Sequence, residues 1–253
     1  MINRIPLVET ATKYPSISTY HALGQHGRLT EEVTEFDGPV YITEKIDGTD
    51  VRVIVDSSGD YLIGGRENIL YAKGDRVANP AQGVVEAIRS FVDVTDLAPQ
   101  DGVLRTYFVE VYGGKIGKNH VQYSWAGNTG FSLFDVADVP LDVLDQPRED
   151  ISIWRQKGGQ VFLNEDDLTH VAKETGFLLA PRVGVIDGAD LPRSILDMYR
   201  MMEKFASKTL VAVDDGAVGY TEGVVLRSHD RSSICKARFE NYVKTLPSSI
   251  INQ

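Results

Sequence analysis

Cysteine is nearly absent from this sequence, since Cys235 is the only one. The chain therefore cannot form an internal disulfide or a cysteine-rich zinc site. No apolar run approaches the ~18 residues that a membrane-spanning helix needs. The first ten residues, MINRIPLVET, also lack the apolar core of a signal peptide. We therefore expect a protein of the reducing cytoplasm that does not enter a membrane.

Basic residues are scarce relative to acidic ones. The 253 residues include 26 Lys and Arg against 36 Asp and Glu, a formal net charge of −10. Read alone, this argues against nucleic-acid binding, which depends mainly on neutralising phosphates. The charge is uneven, however: residues 135–190 hold twelve acids and five bases, whereas residues 223–245 hold five bases and two acids. The sequence therefore allows a locally basic face on an acidic body.

The spacing of apolar residues favours an α+β fold with largely antiparallel sheets flanked by helices. Strands are predicted at 39–56, 61–65, 103–112, 131–136, 222–228 and 233–239. Helices are predicted after Asn79-Pro80, near 166–175 with Gly176 as the end, and near 193–206. Strict βαβ alternation is absent, and no linker or repeat divides the chain. We expect residues 1–253 to form a single domain.

The stretch 44-EKIDGTDVRV-53 raises the first question about chemistry. Lys45 lies in a strand-like run and is followed by the turn pair Asp47-Gly48. Such a lysine is usually a solvated side chain, and K-x-D-G arises by chance in a chain of this length with a probability on the order of 0.1. The motif gains weight only if the rest of a site follows it in order.

Five further short motifs do follow in order. They are Gly65-Arg66-Glu67, Glu110 in 107-YFVEVYGGKIGKN-119, Phe134-Asp135 in 131-FSLFDV-136, Glu222 in 222-EGVVLR-227 and Lys236-Ala237-Arg238. With these motifs the chain resembles the covalent nucleotidyltransferases, which comprise ATP-dependent DNA and RNA ligases and mRNA capping enzymes. It is most similar to nick-sealing RNA ligases of the T-even phage type. Their N-terminal segment also resembles 13-KYPSI-17, so the likeness spans roughly residues 13–244.

The resemblance implies an ATP-dependent polynucleotide ligase, with RNA favoured over DNA. Lys45 would attack ATP to form lysyl-AMP, AMP would pass to a 5′-phosphate at a strand break, and a 3′-hydroxyl would displace AMP. An attacking lysine must be deprotonated, and its free pKa is ~10.4. Nearby positive charge and desolvation would assist this step. By resemblance, Arg66, Lys236 and Arg238 supply that charge and stabilise the phosphoryl oxygens.

The resemblance also implies roles for the residues around the nucleotide. Glu110 would accept hydrogen bonds from the ribose hydroxyls, Phe134 would stack on the adenine, and Glu44 would help to read the adenine amino group. Glu222 would bind Mg²⁺ or Mn²⁺, for which a carboxylate oxygen is a suitable ligand. The resemblance also places Asp47 among the catalytic residues, together with Lys45, Lys236 and Arg238. Members of the superfamily more often have Asp than another residue at this position.

The sequence departs from the family pattern in its last motif and beyond it. The last motif usually reads Lys-x-Lys, whereas Arg238 here replaces the second lysine, which keeps the charge but changes the geometry. Only fifteen residues follow Arg238. DNA ligases and capping enzymes carry an OB-fold there, and phage RNA ligases carry a helical domain. We therefore expect neither, and expect the nucleic acid to be held by this domain's own surface or by a partner protein.

Three alternative functions stay open at this point. A compact ATP-dependent DNA ligase would use the same chemistry, and no residue visibly reads a 2′-hydroxyl. A capping-type guanylyltransferase would take its nucleotide from GTP. A nucleotide-binding module without ligase activity is disfavoured by the joint presence of Lys45, Glu222 and Lys236.

Other motif candidates fail on spacing. The segment 113-GGKIGKN-119 has too few residues between its glycines for a Walker A loop and lacks the Ser or Thr after the lysine. The five histidines show no metal-binding spacing. We expect two of them, His21 and His26, at the surface or in loops.

Overall fold

The computed structural model describes residues 4–77, 83–215, 217 and 219–251. It confirms the expected α+β class, with antiparallel sheets and helices packed on them. The helices are α1 (Ile5–Ala11), α2 (Val84–Val92), α3 (Arg148–Gln156), α4 (Glu165–Thr175), α5 (Ile195–Ala206), α6 (Phe239–Thr245) and α7 (Ser248–Ile251). The strands are β1 (Ser18–Thr19), β2 (His21–Leu23), β3 (Leu29–Val33), β4 (Pro39–Lys45), β5 (Thr49–Val55), β6 (Tyr61–Gly65), β7 (Ile69–Ala72), β8 (Asp75–Arg76), β9 (Val103–Gly113), β10 (Thr129–Pro140), β11 (Val161–Phe162), β12 (Arg182–Asp187), β13 (Gly223–Ser228) and β14 (Ile234–Arg238). No helix within the described ranges is long and apolar enough to cross a membrane.

Two sheets make up most of the fold. The larger has seven antiparallel strands in the order β11-β10-β9-β5-β6-β7-β8. The smaller has five strands in the order β1-β14-β13-β4-β12, and only its β1–β14 pair is parallel. Strands β2 and β3 form a separate hairpin. The chain therefore crosses from the smaller sheet to the larger one between β4 and β5.

The crossing consists of Ile46, Asp47 and Gly48, so the prediction of one strand over residues 39–56 is wrong. Strand alternation continues on both sides of the crossing, which is why the apolar pattern does not reveal it. An added Cβ at Gly48 would lie 2.3 Å from the carbonyl oxygen of Val111. The close approach to β9 therefore explains the glycine of the motif.

Apolar clusters fix the helices to both sheets. Helices α2 and α4 pack on one face of the seven-stranded sheet, and α1 and α3 pack on the other. Helices α5 and α6 cover the five-stranded sheet. In α5 the buried residues Ile195, Met198 and Met202 recur at helical spacing. The Ser194 hydroxyl caps this helix by accepting a hydrogen bond from the N–H of Asp197.

The remaining sequence predictions are largely confirmed. Helix α4 begins after Asn164, whose side chain caps it, and ends at Gly176 with a φ of 76°. Helix α2 occupies the predicted apolar segment, whereas its predicted start at Asn79-Pro80 lies outside the described residues. The apolar pattern does not predict α1, α3, α6 or β12, which are short or partly exposed.

Candidate active site

A cavity of about 510 Å³ lies between the two sheets. All nine residues that the sequence nominates for the site line this cavity: Glu44, Lys45, Asp47, Arg66, Glu110, Phe134, Glu222, Lys236 and Arg238. The N-terminal segment 14–17 lines it as well. The fold thus brings together side chains that are widely separated in sequence.

Lys45 ends β4 and faces the cavity, where it pairs with Glu222. Its Nζ donates a short hydrogen bond to Glu222 Oε2. The Nε of Arg238 lies 2.5 Å from the other carboxylate oxygen. The side chains of the lysine and the glutamate are only 23% and 16% exposed. The nearest charged partner of Lys45 is therefore an acid, and the expected cations Arg66, Lys236 and Arg238 line the same cavity.

Gly223 allows three adjacent strands to bring Lys45, Glu222 and Arg238 close together. It pairs with Lys45 across β13 and β4, and with Arg238 across β13 and β14. A Cβ at Gly223 would lie 2.0 Å from the carbonyl oxygen of Ala237, so a side chain cannot be accommodated. The N–H of Glu222 donates to the carbonyl of Lys45 at 3.1 Å. The backbone therefore holds the amine and the carboxylate side by side.

Two further cations line the cavity. Lys236 lies two residues before Arg238 on β14, so their side chains share a face of the sheet. Burial lowers the pKa of Lys236, and the positive charges of Lys45 and Arg238 lower it further. Arg66 follows β6 directly and is exposed. An anionic ligand in this cavity would therefore meet cations from both sheets.

Three hydrogen bonds hold the crossing between β4 and β5. The N–H of Asp47 donates to the hydroxyl of Tyr123 at 2.6 Å, and the N–H of Gly48 donates to Glu110 Oε1 at 3.1 Å. The carboxylate of Asp47 accepts from the side-chain amide of Asn119 at 2.6 Å. These contacts fix the backbone next to the lysine, which suits a reactive group carried on a rigid element.

Two carboxylates lie opposite each other on β5 and β9. Asp50 and Glu110 are register partners on these strands, and both line the cavity. Burial raises the pKa of Glu110 to about 8 and the pKa of Asp50 to about 6. Within the described part of the chain, Asp50 Oδ1 is buried and has no hydrogen-bond partner. Sequence reasoning missed Asp50, whose signal is an acid near the start of the valine-rich strand 49-TDVRVIV-55.

Phe134 provides an apolar surface in the cavity. Its ring meets Tyr14 edge to face, with centroids 5.1 Å apart, and it packs on the apolar cluster around Ile46. The ring stays partly exposed. A flat group entering the cavity can therefore stack on it, which is compatible with the role suggested by the sequence.

Asp135 follows Phe134 in sequence and is fully buried. Its carboxylate accepts hydrogen bonds from Arg227 at 2.8 Å and from Arg231 at 2.9 Å. The two arginine side chains are only 3% and 9% exposed. The suggestion that they belong to a basic surface face is therefore wrong. Arg227 on β13 and Arg231 in the turn after it instead join the smaller sheet to β10 of the larger one, and Arg227 also lines the cavity.

Glu44 lines the cavity but uses its carboxylate elsewhere. It accepts hydrogen bonds from the hydroxyl of Thr209 at 2.6 Å and from the N–H of Leu210 at 2.8 Å. Burial raises the pKa of Glu44, and the two donors partly offset this. The structure therefore links Glu44 to the loop after α5, a contact that sequence reasoning did not suggest.

The prediction that His21 and His26 lie at the surface or in loops is confirmed for one of them and wrong for the other. His26 is exposed, but His21 is fully buried. The ring nitrogens of His21 lie 2.8 Å from the Tyr242 hydroxyl and 3.0 Å from the carbonyl oxygen of Arg193. These two partners satisfy both nitrogens, and so explain how a polar ring lies in the core.

The donor set allows a test of whether a metal ion fits. No group of three or more His, Cys, Asp or Glu side chains suited to a metal occurs in the described residues. A closed protein site is therefore not formed there. Mg²⁺ is usually held by one or two carboxylates together with substrate phosphates and water. Glu222, which already lies between two cations, fits a divalent ion of this kind that arrives with a nucleotide.

A family model described as RNA ligase matches residues 38–245. The chain belongs to the RNA ligase family. This confirms the membership that the ordered motifs predict, and the matched range contains all nine nominated site residues. A search of curated proteins finds no match.

Solved RNA ligases share the fold. An RNA ligase variant from Naegleria gruberi with ATP and Mn is 15% identical, with a TM-score of 0.53, over 91% of this chain and 63% of that one. The same ligase with PPi gives 14% identity and a TM-score of 0.53 over 91% and 63%. An archaeal ATP-dependent RNA ligase gives 16% identity and a TM-score of 0.52 over 91% and 49%. This chain therefore spans less than two thirds of the length of these relatives.

Proposed function

We propose that the protein is an ATP-dependent RNA ligase that forms a covalent lysyl-AMP intermediate. In the first step the neutral amine of Lys45 attacks the α-phosphorus of ATP. A phosphorus–nitrogen bond forms, the bond to the bridging oxygen breaks, and pyrophosphate leaves. The amine loses protons to solvent along the way, so the enzyme carries AMP on a phosphoramidate.

The two later steps transfer this nucleotide and seal the strand. A 5′-phosphate oxygen attacks the α-phosphorus of lysyl-AMP, which releases the lysine amine with a proton and leaves AMP joined to the RNA through a pyrophosphate linkage. The 3′-hydroxyl of the adjoining strand then attacks the 5′-phosphate. AMP departs, the hydroxyl proton is lost, and a phosphodiester remains.

The single observation that carries the proposal is the position of Lys45 Nζ. It lies in a cavity with Glu222 as a direct partner and Arg238 on the other side of that carboxylate. Arg66 and Lys236 line the same cavity. Cations around the transferring phosphoryl group stabilise its charge, which is the main task in such reactions.

The proposal gives the remaining residues specific tasks. Phe134 stacks on the adenine, Glu110 accepts hydrogen bonds from the ribose hydroxyls, and Asp47 orients the backbone beside the nucleophile. Glu222 would hold a divalent ion that arrives with ATP. Mg²⁺ or Mn²⁺ would then neutralise phosphate charge.

Labelling with α-³²P-ATP tests the first step. Wild-type protein incubated with ATP and Mg²⁺ or Mn²⁺ should carry label after denaturation, whereas Lys45→Arg, which keeps the charge but not the nucleophile, should carry none. Lys157→Ala, at the exposed residue that directly follows α3 and does not line the cavity, is the matched control and should label normally. Wild-type protein that stays unlabelled with every metal and nucleotide would remove the proposal.

Substrate comparison tests the choice of RNA. The protein should seal a 5′-phosphate nick in duplex RNA faster than the same nick in duplex DNA. Faster sealing of DNA would instead support a compact DNA ligase. Label taken from GTP in preference to ATP would support a guanylyltransferase.

A further inference from the structure

Two loops form one wall beside residues 45–48, which we call the nucleophile segment. We call these two loops the rim. The rim consists of residues 114–128 and the described residues of 207–221. The loops meet at several points: the N–H of Val213 donates to the carbonyl of Tyr123 at 2.8 Å, and Gly219 lies so close to Gln122 that a Cβ would be 2.2 Å from its side chain. The two loops therefore behave as one surface.

Asp214 makes this surface rigid. Its carboxylate accepts hydrogen bonds from the hydroxyl of Ser124, the N–H of Ala126 and the side-chain amide of Asn128, each at 2.7 Å. The indole N–H of Trp125 donates to the carbonyl of Asp215 at 3.3 Å. One edge of the tryptophan is therefore attached to the second loop.

The rim exposes an unusual amount of apolar surface. Trp125 and Tyr220 are each 70% exposed. Two aliphatic side chains on the same loops, Val121 and Leu210, are also exposed. Large exposed aromatic side chains on a rigid loop have no packing role in this fold, because their rings face solvent. They are suited to stacking against flat groups of a ligand.

The charge of the rim is opposite to that of the protein as a whole. Residues 113–130 contain no Asp or Glu, although the chain has a net charge of −10. Lys115 and Lys118 are exposed within this segment. The other loop carries Lys208 together with Asp214 and Asp215, and the three donors to Asp214 favour its charged form. The described rim residues therefore hold three lysines against two acids. A polyanion therefore meets less repulsion here than on the acidic surface around it.

The rim is continuous with the candidate active site. Asn119 and Tyr123 hold the nucleophile segment through Asp47, and Glu44 holds the second loop through Thr209. The rim therefore contacts the residues on both sides of Lys45 directly.

We propose that the rim binds the RNA substrate, with an unstacked base next to the strand end lying on Trp125, and with Lys115 and Lys118 contacting backbone phosphates. This inference rests on the proposed function, since it assumes an RNA end beside Lys45. Single-stranded ends and splayed bases are what proteins commonly hold on aromatic side chains.

Tryptophan fluorescence tests the contact directly. The chain has two tryptophans. The other, Trp154, packs in the apolar cluster that α1 and α3 form with the seven-stranded sheet. In Trp154→Phe, all tryptophan emission comes from Trp125, and titration with nicked duplex RNA should quench it. In Trp125→Phe, the same RNA should leave the emission of Trp154 unchanged. RNA that binds the first variant without quenching would overturn the proposal.

Substrate affinity gives a second, independent measurement. Trp125→Ala should weaken binding of nicked RNA by about fivefold or more, the change that corresponds to loss of a stacking contact worth ~1 kcal/mol. Val94→Ala, which removes an exposed apolar side chain outside the rim, is the matched control and should bind normally. Lys118→Gln should lower the salt dependence of binding. Equal affinity for Trp125→Ala and wild type would contradict the assignment.

The labelling reaction separates this inference from the proposed function. Trp125→Ala should form lysyl-AMP at the wild-type rate, because Trp125 does not line the nucleotide cavity, while sealing should show a raised KM for RNA. Normal labelling with normal sealing by Trp125→Ala would refute the rim proposal alone. Absence of labelling in wild type would refute the ligase proposal, whereas RNA quenching of Trp125 would still support the rim as an RNA-binding surface.

Discussion

The buried ion pairs of Asp135 allow a quantitative prediction about stability. Asp135 has no exposed surface, and its carboxylate faces Arg227 and Arg231, whose side chains are 3% and 9% exposed. Asp135→Asn keeps the shape but removes the negative charge. Arg231 then loses its counter-ion, and Arg227 keeps only Glu165, whose carboxylate lies 3.4 Å from its Nε. Breaking a buried pair in this way costs about 3–5 kcal/mol in unfolding free energy.

This loss should be visible in thermal unfolding. For a chain of this size, each kcal/mol lowers the midpoint by about 2–4 °C, so Asp135→Asn should melt about 6–20 °C below wild type. Circular dichroism or scanning calorimetry measures the shift. The lysyl-AMP yield should fall as well, because the same pairs join the two sheets that flank the cavity.

An exposed pair of the same chemistry provides the control. Glu35 and Arg193 also form a carboxylate–guanidinium pair, but both side chains are 70% exposed. Glu35→Gln should leave the melting midpoint almost unchanged, since water screens such pairs. If Asp135→Asn lowered the midpoint no more than Glu35→Gln does, the reasoning from burial would be refuted.

Three more predictions follow from the site. Gly48→Ala should reduce labelling at least tenfold, because its Cβ would lie 2.3 Å from a carbonyl oxygen of β9, whereas Gly65→Ala, with 3.6 Å to its nearest neighbour, should label normally. Glu110 has its pKa raised from 4.5 to about 8 by burial, so the folded state binds its proton more tightly and stability should decline as pH rises between these values. Glu110→Gln should flatten that decline in urea titrations; an unchanged slope would contradict it. Glu44→Ala should speed hydrogen exchange at the N–H of Leu210, which loses its acceptor; exchange at the wild-type rate would argue against this contact.

The sequence predicted which residues form the site better than it predicted how they contact one another. The nine nominated residues share one cavity because each lies in a strand or directly beside one, and the strands belong to two sheets that flank the cavity. The pairing of Lys45 with Glu222 was not predicted, since it depends on which strands are neighbours. Gly223, which allows their approach, carries no motif signal of its own.

Other features were hidden because they depend on burial. Arg227 and Arg231 look like surface bases in the sequence, yet both lie in the core with Asp135. Asp50 resembles an exposed strand residue until its register partner on β9 is known. The change of sheet after Lys45 was hidden as well, because the apolar alternation of residues 39–55 does not change where the chain leaves one sheet for the other.

Mass spectrometry of the proteolysed protein after reaction with ATP and Mg²⁺ tests the central claim most directly. We expect a peptide that contains residue 45 and carries one AMP. Fragmentation should assign the nucleotide to the side chain of Lys45, and added pyrophosphate should remove the adduct. An adduct on Lys236 or on any other lysine, with residue 45 unmodified, would contradict it.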